Sequence, residues 1–87
     1  MRLPAILDLG AATPLWTQLC AAQGTPLTID ASDVERLGGL CFQVLVAAEA
    51  QWRADGQSFT IENISPAYAE AVRMLAGAET HPTEQTQ

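Results

Sequence analysis

The fold of this chain is decided by the stretch Pro26-Leu27-Thr28-Ile29-Asp30-Ala31-Ser32-Asp33-Val34-Glu35-Arg36-Leu37-Gly38-Gly39-Leu40. Leu27 to Ile29 predict a buried strand, residues 30–37 predict a polar turn that we call the elbow, and Gly38-Gly39 opens a helix. A strand that enters a helix in this way leaves backbone N–H groups free at the helix N-terminus. Neither glycine has a side chain that could react, so the elbow is predicted to make contacts.

Similar local signals divide the rest of the chain into helices and strands. Downstream, the helix that opens at Gly38 runs to about Ala54, alternation predicts a strand over 58–62, and Ser65-Pro66 starts a helix that ends before Gly77. Upstream, the apolar residues 5–9 predict a strand. Thr13-Pro14 then predicts the start of a helix over 14–23, with an apolar face that includes Trp16 and Cys20.

Strands therefore alternate with helices, and each crossover is long enough to place successive strands parallel. The predicted fold is a small α/β domain over residues 1–78, with a mostly parallel sheet of three or four strands packed with three or four helices. The segment 34–37 is either a short edge strand or part of the elbow. Residues 79–87 are polar and predict a disordered tail, in which His81 is solvated.

Composition excludes several classes of function. Ten acidic residues against four basic ones give a net charge of −6, which repels phosphate backbones and anionic lipid headgroups. We therefore expect no nucleic-acid partner. No apolar run reaches the ~20 residues of a spanning helix, which predicts a cytoplasmic protein without membrane insertion. Cys20 and Cys41 have neither metal-site nor CxxC spacing, and we expect two buried, reduced thiols.

The chain offers little catalytic chemistry. Its one histidine lies in the predicted tail, so no Ser-His-Asp or Cys-His set can be assembled, and we expect no catalytic residue, metal or cofactor. Asp30, Asp33 and Glu35 could form a carboxylate cluster for a metal or for acid–base work, but the favoured interpretation is that Asp30 ends a strand and Asp33 closes the turn. Gly38-Gly39 could hold an anion at the helix start. A small nucleotide-binding or metal-dependent enzyme is therefore the alternative to a binding protein.

The long helix carries two apolar sets. The first, predicted to face the core, is Cys41, Val44, Leu45, Ala48 and Trp52; the second is Leu40, Phe42 and Val46, with Gln43 between them. Either both sets are core, or the second is a surface for a partner. In the second case Phe42→Ala should cost less stability than Leu45→Ala.

The elbow and the start of the long helix resemble the corresponding segment of a known family. The segment 29–42 resembles the signature of STAS domains, the family of bacterial anti-sigma factor antagonists and sulfate-transporter tails, through Asp30, Ser32, Val34 and Leu37. The resemblance implies a STAS-like α/β fold, lacking the family's opening strand, and a non-enzymatic role in protein binding. Gly38 replaces the family's aspartate, Gly39 its phosphorylated serine or threonine, and Cys41 its glycine, so no phosphorylation switch is expected.

The resemblance also implies a setting. Short stand-alone forms with Val-Glu-Arg-Leu-Gly-Gly resemble those linked to bacterial chemotaxis gene clusters, which implies a signalling kinase, an anti-sigma-factor-like protein or a chemotaxis component as partner. A similar Val-Glu-Arg segment occurs in the STAS subunit of phospholipid-transport ABC systems, which is the alternative. The oligomeric state is left open. The predicted partner-binding residues are Asp33, Glu35, Arg36, Gly38, Gly39, Phe42, Gln43 and Val46.

Overall fold

The computed structural model describes residues 1–80, and the side chains of residues 1–76. In chain order, the elements are β1 (Ile6–Leu7), a 3₁₀ turn (Leu9–Ala11), α1 (Ala12–Ala21), β2 (Leu27–Asp30), β3 (Arg36–Leu37), α2 (Gly39–Ala54), β4 (Phe59–Glu62) and α3 (Pro66–Thr80). The α/β class predicted from the sequence is confirmed. Residues 36–37 of the elbow form a strand.

The strands pair in two parallel two-stranded sheets. β1 pairs with β3, with Leu7 opposite Leu37, and β2 pairs with β4, with Ile29 opposite Ile61. The first residues of the chain join the two sheets, because the Leu3 N–H donates to the Asp30 carbonyl at 2.9 Å and the Asp30 N–H donates to the Met1 carbonyl at 2.7 Å. The N-terminal segment therefore runs between β2 and β3 in space.

The core is built from side chains of the helices, the strands and the segments between them. α1 packs against α2, and α3 packs against β3 and α2. The largest fully buried side chains are Leu3, Leu7, Leu19, Ile29, Val34 and Cys41. In the segment that leads into and includes β1, Leu3 and Leu7 are buried and Ala5 is half-buried, whereas Arg2, Pro4 and Ile6 are exposed. The elbow also supplies core residues, since Ala31 and Val34 are buried.

The start of α1 differs from the prediction. Leu9 belongs to the 3₁₀ turn rather than to a strand, and the Asp8 side chain caps that turn by accepting a hydrogen bond from the Gly10 N–H at 3.1 Å. The helix therefore begins at Ala12, one residue before the Thr13 that was expected to cap it. Trp16 and Cys20 are exposed, so the expectation of two buried thiols is wrong for Cys20 and right for Cys41.

The end of the described chain also differs. The helix α3 begins at Pro66, as predicted, and runs through Gly77 to Thr80 rather than stopping before the glycine. One glycine costs a helix only about 1 kcal/mol, which neighbouring helical residues can offset. Most of the predicted tail, with His81, lies outside the described residues.

Candidate protein interface at the elbow and the start of α2

The elbow begins at an aspartate that ties three segments together. The Asp30 carboxylate accepts hydrogen bonds from the Ser32 N–H at 2.8 Å and from Asn63 Nδ2 at 3.5 Å, and lies 3.8 Å from the Arg2 guanidinium. Hydrogen bonds from Ser32, above all, and then from Asn63, together with the charge of Arg2, lower the pKa of Asp30. Asp30 is thus committed to holding the elbow.

The rest of the elbow is fixed through its backbone. The N–H groups of Glu35 and Arg36 both donate to the Ala5 carbonyl, at 2.7 and 3.1 Å, and the Val34 carbonyl accepts the hydroxyl of Ser65 at 2.7 Å. With Val34 buried, the side chains of Asp33, Glu35 and Arg36 are all exposed. The elbow is a backbone-anchored loop that displays charged side chains, as a contact surface requires.

At the start of α2, the backbone is held close to β1. Gly38 is the N-cap and makes no side-chain cap; its N–H donates to the Leu7 carbonyl at 2.9 Å. A Cβ at position 38 would lie only 3.3 Å from that same carbonyl oxygen, so glycine permits the close approach. Gly39 is exposed, and a Cβ there would meet nothing closer than Leu75 Cδ2 at 3.9 Å.

Phe42 is not on the surface, contrary to the prediction that it contacts a partner. Its side chain is only 8% exposed and belongs to the core. Helix α3 covers this flank of α2, and Phe42 lines a groove of about 210 Å³ together with Leu45, Val46, Glu49, Ile61, Tyr68 and Val72. Helical periodicity separates Phe42 from Cys41 but does not reveal that α3 packs on the Phe42 side.

The other predicted contact residues of α2, and Leu40 of the second apolar set, are exposed. Leu40 is 48% exposed and Val46 is 45% exposed, and Gly39 and Gln43 are also open to solvent. These four residues lie on one flank of the helix, which we call the outer α2 surface. The sequence has no charged residue between Arg36 and Glu49, so this surface is apolar and neutral where solvent-exposed helices usually carry charges.

An acidic depression adjoins the elbow. It has a volume of about 630 Å³ and is lined by Ala5, Ser32, Asp33, Val34, Glu35, Ser65, Pro66 and Ala67. Two exposed carboxylates, those of Asp33 and Glu35, stand at this depression, and Arg2 lies 3.5 Å from the first of them. An ion pair this exposed contributes little to stability, so the Asp33 carboxylate can exchange Arg2 for another cation.

The described residues contain no group of three or more His, Cys, Asp or Glu side chains that could hold a metal ion. The buried thiol of Cys41 donates to the Asp8 carbonyl at 3.3 Å, and burial, followed by the nearby Asp8 charge, raises its pKa. A raised pKa keeps the thiol protonated and unreactive.

The comparison with family models identifies the fold. A model described as "Mlab, STAS domain" matches residues 1–79 of the chain. The protein belongs to the STAS domain family. No curated protein and no solved structure matches the chain. STAS domains are generally non-enzymatic and typically mediate protein–protein interactions. Among residues 1–80, no helix has both the length and the apolar character needed to cross a bilayer.

Three residues that shape this STAS site escaped the sequence analysis. Ser65 was expected only to cap α3, but its hydroxyl also holds the elbow at Val34. Asn63 adopts a positive φ of 55°, which asparagine tolerates better than most residues, and Arg2 lies against two elbow aspartates. The Asn63 turn has a local signal, whereas the long-range contacts of Ser65 and Arg2 have none.

Proposed function

We propose that this STAS protein is a non-enzymatic regulatory module that binds another protein through the outer α2 surface and the exposed side chains of the elbow. The observation that carries the proposal is the neutral, apolar character of an exposed helix flank. Leu40 and Val46 are each nearly half exposed, although Cys41, Phe42, Leu45, Ala48 and Trp52 of the same helix are buried. Clustered exposed apolar side chains on a small domain mark an interaction site.

The charge beside this surface indicates the chemistry of the partner. Asp33 and Glu35 are exposed at the acidic depression, and the whole chain carries a net charge of −6. Such a field attracts a partner with a basic rim and raises its association rate, and the effect weakens as salt is added. The partner is therefore expected to place an apolar side chain on α2 and basic side chains at the elbow.

The binding is proposed to be independent of phosphorylation at the helix start. Gly39 occupies the position at which related anti-sigma factor antagonists carry a phosphorylated hydroxyl, and glycine has none. The setting supported by the resemblance is bacterial chemotaxis or related signal transduction in the cytoplasm. The partner is then a signalling kinase, an anti-sigma-factor-like protein or a chemotaxis component.

A second candidate is an accessory subunit of a phospholipid-transport ABC system. It is favoured by the segment Val34-Glu35-Arg36, which is similar to one in the STAS subunit of such systems. The same surface would then bind the transporter ATPase. The identity of the captured partner separates the two settings.

The test uses the full chain as bait in host lysate. Gly39→Glu and Val46→Asp each place a carboxylate on the outer α2 surface, and both are expected to abolish capture of the partner. Ala54→Glu is the matched control, because it adds the same charge at the other end of α2, about 22 Å from Gly39 and about 12 Å from Val46 at 1.5 Å per residue. Circular dichroism checks that all three variants fold.

Two results would contradict the proposal. If the folded Gly39→Glu and Val46→Asp variants keep every partner of the wild-type chain, the interface lies elsewhere. If mass spectrometry of protein from the host finds phosphate on Ser32 that changes with stimulus, the binding is switched after all.

A further inference from the structure

The groove between α2 and α3 combines apolar walls with one carboxylate. Its volume is about 210 Å³, which exceeds the roughly 150 Å³ of an apolar cavity that admits a benzene molecule. It therefore has room for one long side chain of another protein. Among the described residues that line the groove, only Glu49 is charged; the others are Phe42, Leu45, Val46, Ile61, Tyr68 and Val72.

The carboxylate stands at the rim of the groove, above buried apolar side chains. Phe42, Leu45 and Tyr68 are buried, whereas Val46 is 45% exposed and the Glu49 side chain is 54% exposed. Burial, followed by the charge of Glu49, raises the pKa of Tyr68, so the carboxylate is close enough to the phenol to affect it. A side chain that enters from solvent therefore meets apolar carbon in the groove and a negative charge at its mouth.

Glu49 is able to bind a cation from another protein. Its Oε2 lies 3.5 Å from the Arg53 guanidinium, one turn further along α2, and both side chains are more than half exposed. An ion pair this exposed contributes little to stability, and the carboxylate has a second oxygen with its own lone pairs. Arg53 is not among the residues that line the groove. The existing ion pair therefore leaves both the groove and one carboxylate oxygen accessible.

Shape and charge together select the side chain that fits. A long basic side chain lays its methylene stem along apolar walls and keeps its charged head at the rim. Arginine suits this groove better than lysine, because its planar guanidinium is more weakly hydrated and pairs with a carboxylate through two parallel hydrogen bonds. The net charge of −6 also favours the approach of a basic segment.

We infer that the groove between α2 and α3 binds an arginine side chain of the partner protein, with the guanidinium held by Glu49. The inference rests on the proposed function, because Val46 belongs both to the groove and to the outer α2 surface. It deepens that function by naming a side chain that the partner supplies. Asp33 and Glu35 at the elbow attract a basic partner in general, whereas the groove accepts one particular residue.

Two peptides that differ only in charge test the groove. The isotope-labelled full chain is titrated in the NMR tube with an end-capped glycine–arginine–glycine peptide. A second titration uses the same peptide with citrulline in place of arginine, which has nearly the same shape and no charge. We expect the arginine peptide to shift the amide signals of Val46, Glu49 and Val72 saturably, and the citrulline peptide to bind at least about threefold more weakly.

Substitutions identify the carboxylate that binds the peptide. Glu49→Gln is expected to weaken the arginine peptide by at least about threefold. Glu70→Gln is the matched control, because Glu70 is also exposed, also pairs with an arginine of its own helix, and does not line the groove. Both changes alter the net charge equally.

Removing the internal cation gives an effect of opposite sign. Arg53→Ala leaves Glu49 without its exposed ion pair, so the arginine peptide should bind about twofold more tightly. Arg73→Ala is the control, since it removes the same charge beside Glu70. This pair of variants decides the question if Glu49→Gln does not fold.

Saturable binding at the groove supports the inference if it is weaker with citrulline and in Glu49→Gln, and unchanged in Glu70→Gln. Absence of saturable binding, shifts confined to Asp33 and Glu35, or equal weakening by the two glutamine substitutions overturns it. The proposed function still stands in those cases if Gly39→Glu abolishes capture of the partner from lysate, because Gly39 does not line the groove. If Gly39→Glu keeps every partner, the proposed function fails, and the inference fails with it.

Discussion

Helices α2 and α3 each follow a parallel strand, but their first turns are built in opposite ways. At the start of α3, the buried Ser65 hydroxyl accepts the Tyr68 N–H at 3.0 Å and donates to the Val34 carbonyl at 2.7 Å. At the start of α2, Gly38 makes no side-chain cap, and Gly39 and Leu40 are exposed. The start of α3 therefore contributes a side-chain anchor to the elbow, whereas the outer side of the start of α2 is left open to solvent.

The first turn of α2 is open only on its outer side. Its inner side is expected to be firmly anchored, because Phe42 is buried among Leu45, Ile61 and Tyr68. Phe42→Ala should lower the free energy of unfolding by ~3–5 kcal/mol, as losses of buried phenylalanines do. Denaturant titration measures this loss, which is as large as that expected for Leu45→Ala rather than smaller.

The matched control is Val46→Ala, on the exposed side of the same helix. Surface substitutions change stability by only about 0.5 kcal/mol, so this variant should unfold close to the wild-type midpoint. If Phe42→Ala lowers the free energy of unfolding as little as Val46→Ala does, Phe42 belongs to the partner-binding surface.

Ser65 anchors the start of α3. Ser65→Ala removes a helix cap and leaves the Val34 carbonyl without its hydroxyl donor, so the free energy of unfolding should fall by ~1–3 kcal/mol. Ser58→Ala, at an exposed serine before β4, serves as the control. If the two variants have the same stability in urea, the cap at α3 does not stabilise the elbow.

Gly39 gives a smaller effect of opposite sign. A Cβ at position 39 meets only Leu75 Cδ2 at 3.9 Å, so Gly39→Ala should raise stability by ~0.4–1 kcal/mol through the unfolded chain. Gly56→Ala is the control, because its φ of +71° disfavours any Cβ and should cost roughly 1–2 kcal/mol. Thermal unfolding of the two variants should therefore shift in opposite directions; destabilisation by Gly39→Ala would mean that glycine is needed for the fold.

Local patterns in the sequence were sufficient for most of the fold. The breaks at Gly24, Asp55-Gly56 and Ser65-Pro66 delimit the helices correctly, since capping and turn chemistry act within a few residues. The start of α1 was wrong because Asp8 caps a 3₁₀ turn that precedes the helix. A 3₁₀ turn has no distinct hydrophobic period by which the sequence could reveal it.

The site was predicted less completely. The exposed charges of the elbow and the openness of Gly39 follow from residue type and position, and the structure places them on the surface. Phe42 was misplaced because helical periodicity defines faces of α2 without showing which of them α3 covers. The bond from Ser65 to Val34 joins residues 31 positions apart, and no local pattern encodes it.

The smallest expected effect is a loss of stability at low pH, and it depends on Asp30, which links the loop before α2 to the loop before α3. Asp30 accepts hydrogen bonds from Ser32 and Asn63, and these contacts lower its pKa from the ordinary value of 3.8. A lowered pKa in the folded state stabilises the protein above the ordinary value, and that stability is lost as the pH falls through the folded value. Below about pH 4, the wild-type chain should therefore lose stability more steeply than Asp30→Asn.

Urea titrations at a series of pH values test this difference. Asp55→Asn, at the far end of α2, removes the same negative charge without touching the elbow and serves as the control. In Asp30→Asn the free energy of unfolding should fall less steeply as the pH is lowered, because asparagine has no carboxylate to protonate. If the three chains lose stability equally steeply, the Asp30 carboxylate does not join the loops before α2 and α3, and the open start of α2 must be supported from β1 through the bond between Gly38 and Leu7.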